Sequence, residues 1–177
     1  MKKLTMTMMA MTFAITASAQ FNVGTSSTST DIFGSRTTTH RNQYGQTTGT
    51  STSSTDYFGR TTTTHHDRNG NIIGTSTTST DYFGNTTTTH RDRNGNMTGT
   101  ARSNTDYFGN INTTYTDSNG HSTGTSSTST DYFGNATTTY RNRSGQTQGS
   151  STSSLDYFGN RNTQQRSINS TTTIWTW

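Results

Sequence analysis

Only 23% of the 177 residues are apolar and the mean hydropathy is -0.95, so an ordinary oily core is out of reach for this chain. Charge is sparse and mixed, 13 Lys and Arg against 9 Asp, with no basic block standing apart from the acids, which argues against a nucleic-acid surface. Cysteine is absent, so stability cannot come from disulfide staples.

In chain order, the first predicted element is a leader. Lys2 and Lys3 form a short positive region, Leu4 to Thr16 are modestly apolar, and Ala17-Ser18-Ala19 reads as an A-x-A cleavage site before Gln20. Residues 1–19 are therefore expected to be a signal peptide. It would send the chain through the periplasm of a bacterium to the cell surface or the extracellular space. The apolar stretch is too short to span a bilayer, and no later segment could serve as a transmembrane helix. Beyond residue 19 the chain has no Lys, Glu, Pro or Cys, and Thr, Ser, Asn and Gly dominate. Most strong helix formers are missing, so an all-β fold is expected.

After a short lead, 20–23, a block of 25 residues recurs six times without insertion or deletion: 24–48, 49–73, 74–98, 99–123, 124–148 and 149–173. Its fixed point is Asp-Tyr-Phe-Gly, with Ile32 in the place of Tyr in the first copy. The Asp stands at Asp31, Asp56, Asp81, Asp106, Asp131 and Asp156, and the Phe at Phe33, Phe58, Phe83, Phe108, Phe133 and Phe158. The Gly stands at Gly34, Gly59, Gly84, Gly109, Gly134 and Gly159. Such invariance marks an array in which each repeat packs on its neighbours. A disordered Ser/Thr-rich linker has little reason to hold a period, and Thr favours strands.

Each repeat reads as strand, turn, strand, turn. In the third, Gly74 to Thr80 is extended, Asp81 to Asn85 turns, Thr86 to Asp92 is extended and Arg93 to Asn96 turns again. Asn94-Gly95, like Asn69-Gly70 and Asn119-Gly120, is a hairpin signal of the type I′ kind. Two architectures satisfy the pattern, a β-solenoid with two strands per rung or a long antiparallel meander. Identity at equivalent positions such as Thr63, Thr88 and Thr113 favours the solenoid, since in-register stacking rewards it. In that arrangement one Phe per rung is expected inside and the preceding Tyr outside.

The sixth copy decays after Asn160, and residues 174–177 form an aromatic tail. Trp175 and Trp177 are expected to cap the array or to mark the chain for a secretion or assembly factor. His40, His65 and His90 share one repeat position and would stack as a column, followed by Tyr115, Tyr140 and Gln165. This reads as an aromatic ladder and not as a metal site. The Asp-Arg-Asn-Gly-Asn segments lack the glycine and the bidentate Glu of a calcium loop. No catalytic constellation appears, so neither an enzyme nor a cofactor is expected.

Signal peptide, strand-turn-strand repeats of just over twenty residues, abundant Gly, Ser, Thr and Asn and no Cys together resemble the major subunits of curli-type functional amyloids. The resemblance is one of layout: the strand positions here carry Thr and Ser where curli repeats carry Gln and Asn. It implies a self-associating extracellular fibre or matrix protein. The turn motif is also similar to the YD-type repeats of large secreted toxin shells. A monomeric binding module is the alternative expectation, gripping glycan through stacked Tyr rings or, as a Thr array, ordering ice.

Overall fold

The computed structural model describes residues 24–167. The expected signal peptide, the lead, the end of the sixth repeat and the aromatic tail with Trp175 and Trp177 lie outside the described residues. Twelve strands follow in order: β1 Thr25–Thr30, β2 Arg36–Arg41, β3 Thr47–Thr55, β4 Thr61–Asp67, β5 Ile72–Thr80 and β6 Thr86–Asp92. The second half repeats the pattern with β7 Met97–Thr105, β8 Ile111–Asp117, β9 Ser122–Thr130, β10 Ala136–Asn142, β11 Thr147–Leu155 and β12 Arg161–Ser167. The described residues contain no helix. Each strand pairs antiparallel with its neighbours in sequence, and β1 pairs with β12, so the sheet closes into a barrel.

The strand-turn-strand-turn reading of each repeat holds, but the solenoid does not. Repeats are joined by antiparallel hairpins, and equivalent residues lie two strands apart with a different residue between them. Ser53 pairs with Thr63 and Thr63 with Ser76, so rows of unlike side chains replace ladders of identical ones. Closure also leaves no open edge, which is how antiparallel sheets of this size avoid templating further strands.

The exact period sets the tilt of the barrel. From the second repeat onward odd strands have nine residues, and β4, β6, β8, β10 and β12 have seven. Directly across two strands, residues are 23 apart, as Thr28 and Ser51 are through Thr38, whereas repeats are 25 apart. Each repeat therefore slips by the difference, two residues, and six repeats give the stagger of twelve that closure requires. A stagger of one residue per strand goes with a tilt of roughly 35–45°.

Both turn types are one device. In the aromatic turn, Gly84 N–H donates to the Asp81 carbonyl and Asp81 N–H to that of Asn85, at 3.1 and 2.8 Å. In the Asn-Gly turn, Gly95 N–H and Asp92 N–H make the same two bonds to Asp92 and Asn96. These are three-residue loops, a type I turn followed by a glycine in a left-handed conformation, φ +83 at Gly84 and +86 at Gly95. The expected two-residue type I′ turn is thus corrected: the glycine takes the bulge position after the turn. The turn Asp or Asn locks the loop, Asp81 Oδ1 accepting from Phe83 N–H and Asn85 N–H at 2.9 Å each.

The interior is polar. Among the described residues the buried apolar side chains are Ala101 and Tyr140, while the buried polar ones are mostly Ser and Thr, with His65, His90 and Gln148. An eight-stranded barrel is just filled by side chains, so twelve strands lined by residues this small would enclose water if the cross-section were round. Ser76 is only 2% exposed, flanked on either side by the His65 and His90 rings that bond its hydroxyl. Among the described residues only strands that are hydrogen-bonded neighbours approach within 8 Å by Cα.

Candidate functional site: an aromatic rim and a buried imidazole row

Six of the loops, five carrying Asp-Tyr-Phe-Gly and the first Asp-Ile-Phe-Gly, connect β1 to β2, β3 to β4, β5 to β6, β7 to β8, β9 to β10 and β11 to β12. Alternate turns of an up-and-down barrel lie at one end, so all six share a rim. Their rings were expected to divide, Phe inside and Tyr outside. Neither is inside: Tyr57, Tyr82, Tyr107, Tyr132 and Tyr157 are each 98% exposed, and Phe83 is 86% exposed with the other five alike. The loop geometry explains this, because both rings sit at the two central positions of the type I turn and project past the last strand pair. Within a loop the rings meet edge to face, as in Tyr82 and Phe83 with centroids 5.7 Å apart and planes at 83°. Ile32 takes the Tyr place in the first loop and is exposed too.

A monomer rarely exposes one apolar patch beyond a few hundred Å². The eleven rings, at roughly 150 Å² or more each, together expose more than that, spread over six loops of one rim. The loops that hold them are stiff: besides the locking bonds of Asp81 Oδ1, Asn85 Nδ2 donates to Asp81 Oδ2 at 3.0 Å, with equivalents at Asn110, Asn135 and Asn160. That amide bond, first among the causes, holds Asp81, Asp106, Asp131 and Asp156 below the usual carboxylate range. In the second loop Arg60 does the same for Asp56, chiefly by its backbone N–H and also through a 3.1 Å ion pair.

The other end is different in charge. It carries Arg41, Arg68, Arg91, Arg93, Arg141, Arg143 and Arg166 against Asp67, Asp92 and Asp117, a net of +4 with His neutral. The aromatic end carries the six turn Asp against Arg36, Arg60 and Arg161, a net of -3. The remaining arginine, Arg102, lies midway along β7. Outward positions on the wall between the ends are polar, as Thr62, Thr64 and His66 on β4 or Thr98, Thr100, Arg102 and Asn104 on β7 show. A lipid-facing band needs apolar side chains there. No helix among the described residues is long and apolar enough to cross a membrane.

The His column proves to be a hydrogen-bonded row inside the barrel with serines interposed. His40 Nε2 meets Ser51 Oγ at 2.9 Å, Ser51 Oγ meets His65 Nδ1 at 2.9 Å, His65 Nε2 meets Ser76 Oγ at 2.8 Å, and Ser76 Oγ meets His90 Nδ1 at 2.9 Å. A serine hydroxyl has one proton to donate, and a neutral imidazole has one donor and one acceptor nitrogen. The row is self-consistent when all three rings carry the same tautomer and every bond points one way along the wall. Burial pushes His65 and His90 down to about 4 and lowers His40; the neighbouring imidazoles lower His65 further. With a serine between successive rings, the row has no shared ligand point for a metal. Tyr115 and Tyr140 continue it, bonding Ser126 and Ser151 at 2.9 and 3.3 Å, and Ala101 replaces serine between the His and Tyr segments.

A glycine was missed as part of this row. Gly49, Gly74, Gly99, Gly124 and Gly149 face the His or Tyr ring of the preceding strand, beside a one-residue bulge in each repeat. A Cβ on Gly74 would come within 2.5 Å of the Arg91 carbonyl oxygen, so only glycine fits. The signal was present in the sequence, a glycine nine residues after each His or Tyr, but the solenoid reading gave it no partner.

No protein-family model matches the chain, and no curated protein matches it either.

Proposed function

We propose that the protein is a secreted, non-catalytic structural module of a bacterial cell surface or extracellular matrix, and that the aromatic rim is its working face. The observation that carries this reading is the set of six stiff loops holding Tyr and Phe out of any core, 98% exposed in the case of Tyr. A chain this poor in apolar residues keeps most of its large rings where they contribute nothing to folding, so their use lies in contact with a partner. The interior supports the same reading. Its side chains serve each other as hydrogen-bond partners, as the serines and imidazoles of the inner row do.

A cross-β fibre grows on unpaired strand edges, and the pairing of β1 with β12 leaves none among the described strands. Association through the rim then uses side chains and not strand edges. The test replaces Tyr57, Tyr82, Tyr107, Tyr132 and Tyr157 by Ser in the secreted protein and compares retention on the producing cells. Far-UV circular dichroism should stay unchanged while retention falls at least tenfold. Full retention of a folded variant would overturn the role of the rim.

A further inference from the structure

Three features of the two barrel ends converge. The aromatic end is acidic, its six turn Asp outweighing Arg36, Arg60 and Arg161. The opposite end is basic, and Arg68, Arg93 and Arg143 stand exposed at its turn tips, at the loop position that Tyr holds in the aromatic turns. The described chain also enters at Gly24 and leaves after Ser167 at the basic end, away from the aromatic loops.

We propose that the occupant of the aromatic rim is the basic end of a second copy of this chain, so that closed barrels stack head to tail. This rests on the rim being the working face. Arginine guanidinium groups over Tyr and Phe rings are a favourable pairing, and the opposite net charges of the two ends steer copies into that polarity. The shared layout repeats the match: of the five turns of the basic end, three carry Arg at the tip, against a ring of six aromatic loops. Rim-to-rim pairing would instead bring twelve turn carboxylates together. A contact between unlike ends that does not close on itself generates a filament. Its strands would be tilted along the filament axis and not laid across it as in amyloid.

The test uses residues 20–177 of the natural protein in low salt, by analytical ultracentrifugation and negative-stain electron microscopy. Wild type should form unbranched filaments with an axial repeat of about 25–35 Å, from nine-residue strands at a tilt near 40° plus turns. Raising salt to 1 M should shift it toward monomer. A variant with Arg68, Arg93 and Arg143 changed to Ser keeps a good rim, and the five-Tyr-to-Ser variant keeps a good basic end. Each alone should stay monomeric, and a 1:1 mixture should give dimers and nothing longer. Dimers of the arginine variant alone would establish rim-to-rim pairing and overturn the proposal, as would a wild type that stays monomeric at millimolar concentration. In the latter case, retention on cells that still depends on the tyrosines would leave the rim as a binding face for another partner, glycan among them. Loss of both results would remove the two readings together.

Discussion

A buried imidazole between two serine hydroxyls is satisfied when neutral and has no acceptor to spare for a second proton. His65 is 3% exposed and titrates near 4, and His90 behaves alike, against about 6.5 in an unfolded chain. Their folded pKa values are depressed, so the unfolded state binds protons first as pH falls. Stability is full above pH 6.5 and is lost between 6.5 and 4, by an order of 3 kcal/mol per ring from a shift of this size. The turn carboxylates, also depressed, act in the same direction but below about pH 4, which separates the two effects. Urea midpoints at pH 7.5 and 4.5 should differ strongly for wild type and far less for a His65→Tyr, His90→Tyr variant, which places at those positions the residue found at 115 and 140. An unchanged wild-type midpoint would mean that the rings are not enclosed. At the rim the expectation is the reverse: Tyr82→Ala and Phe83→Ala should each change stability by no more than about 0.5 kcal/mol, because neither ring leaves water on folding. A loss of about 3 kcal/mol for Phe83→Ala would restore the buried Phe of the solenoid reading.

At the scale of the element, two glycines of one repeat do different jobs. Gly84 has φ +83 and open space around its absent side chain, so Gly84→Ala should cost about 1–2 kcal/mol, the left-handed penalty alone. Gly74 has no room, and Gly74→Ala must push the Arg91 carbonyl aside and disturb the bulge, for a loss above about 2 kcal/mol. Chemical denaturation of the two variants orders them, and equal losses would contradict the close approach at Gly74. The turns and strands themselves were legible, because glycine and Asp or Asn recur at fixed offsets and Thr runs fill the gaps. The turn type was not. Asn94-Gly95 suits a two-residue loop as well as the second half of a three-residue one, and only the Asp92 to Asn96 bond tells them apart.

For the whole molecule, the choice between solenoid and barrel turns on which residue lies across from which, and a repeat period alone does not carry that. Identity at Thr63, Thr88 and Thr113 suits in-register rungs, but it equally suits a meander in which each hairpin makes its own hydroxyl pair, Ser53 with Thr63, Thr78 with Thr88 and Ser103 with Thr113, all at 2.8 Å. What distinguishes them is the inequality of nine- and seven-residue strands, which supplies the stagger for closure, and the rings at Phe33 to Phe158 then have no interior to enter. Closure is the claim on which the polar interior, the shared rim and the two-ended charge all depend, and it is tested most directly where β1 meets β12. Ser27 pairs with Asn162 there. The chain has no cysteine of its own, so spin labels on Ser27→Cys and Asn162→Cys report this pair alone. Pulsed electron-electron double resonance should find a narrow distance distribution below about 20 Å, as for directly paired strands. An open solenoid of six rungs would separate the first and last repeats by about 24 Å and an open meander by about 50 Å before the label arms are added, and a distribution centred at either value would contradict the closed barrel.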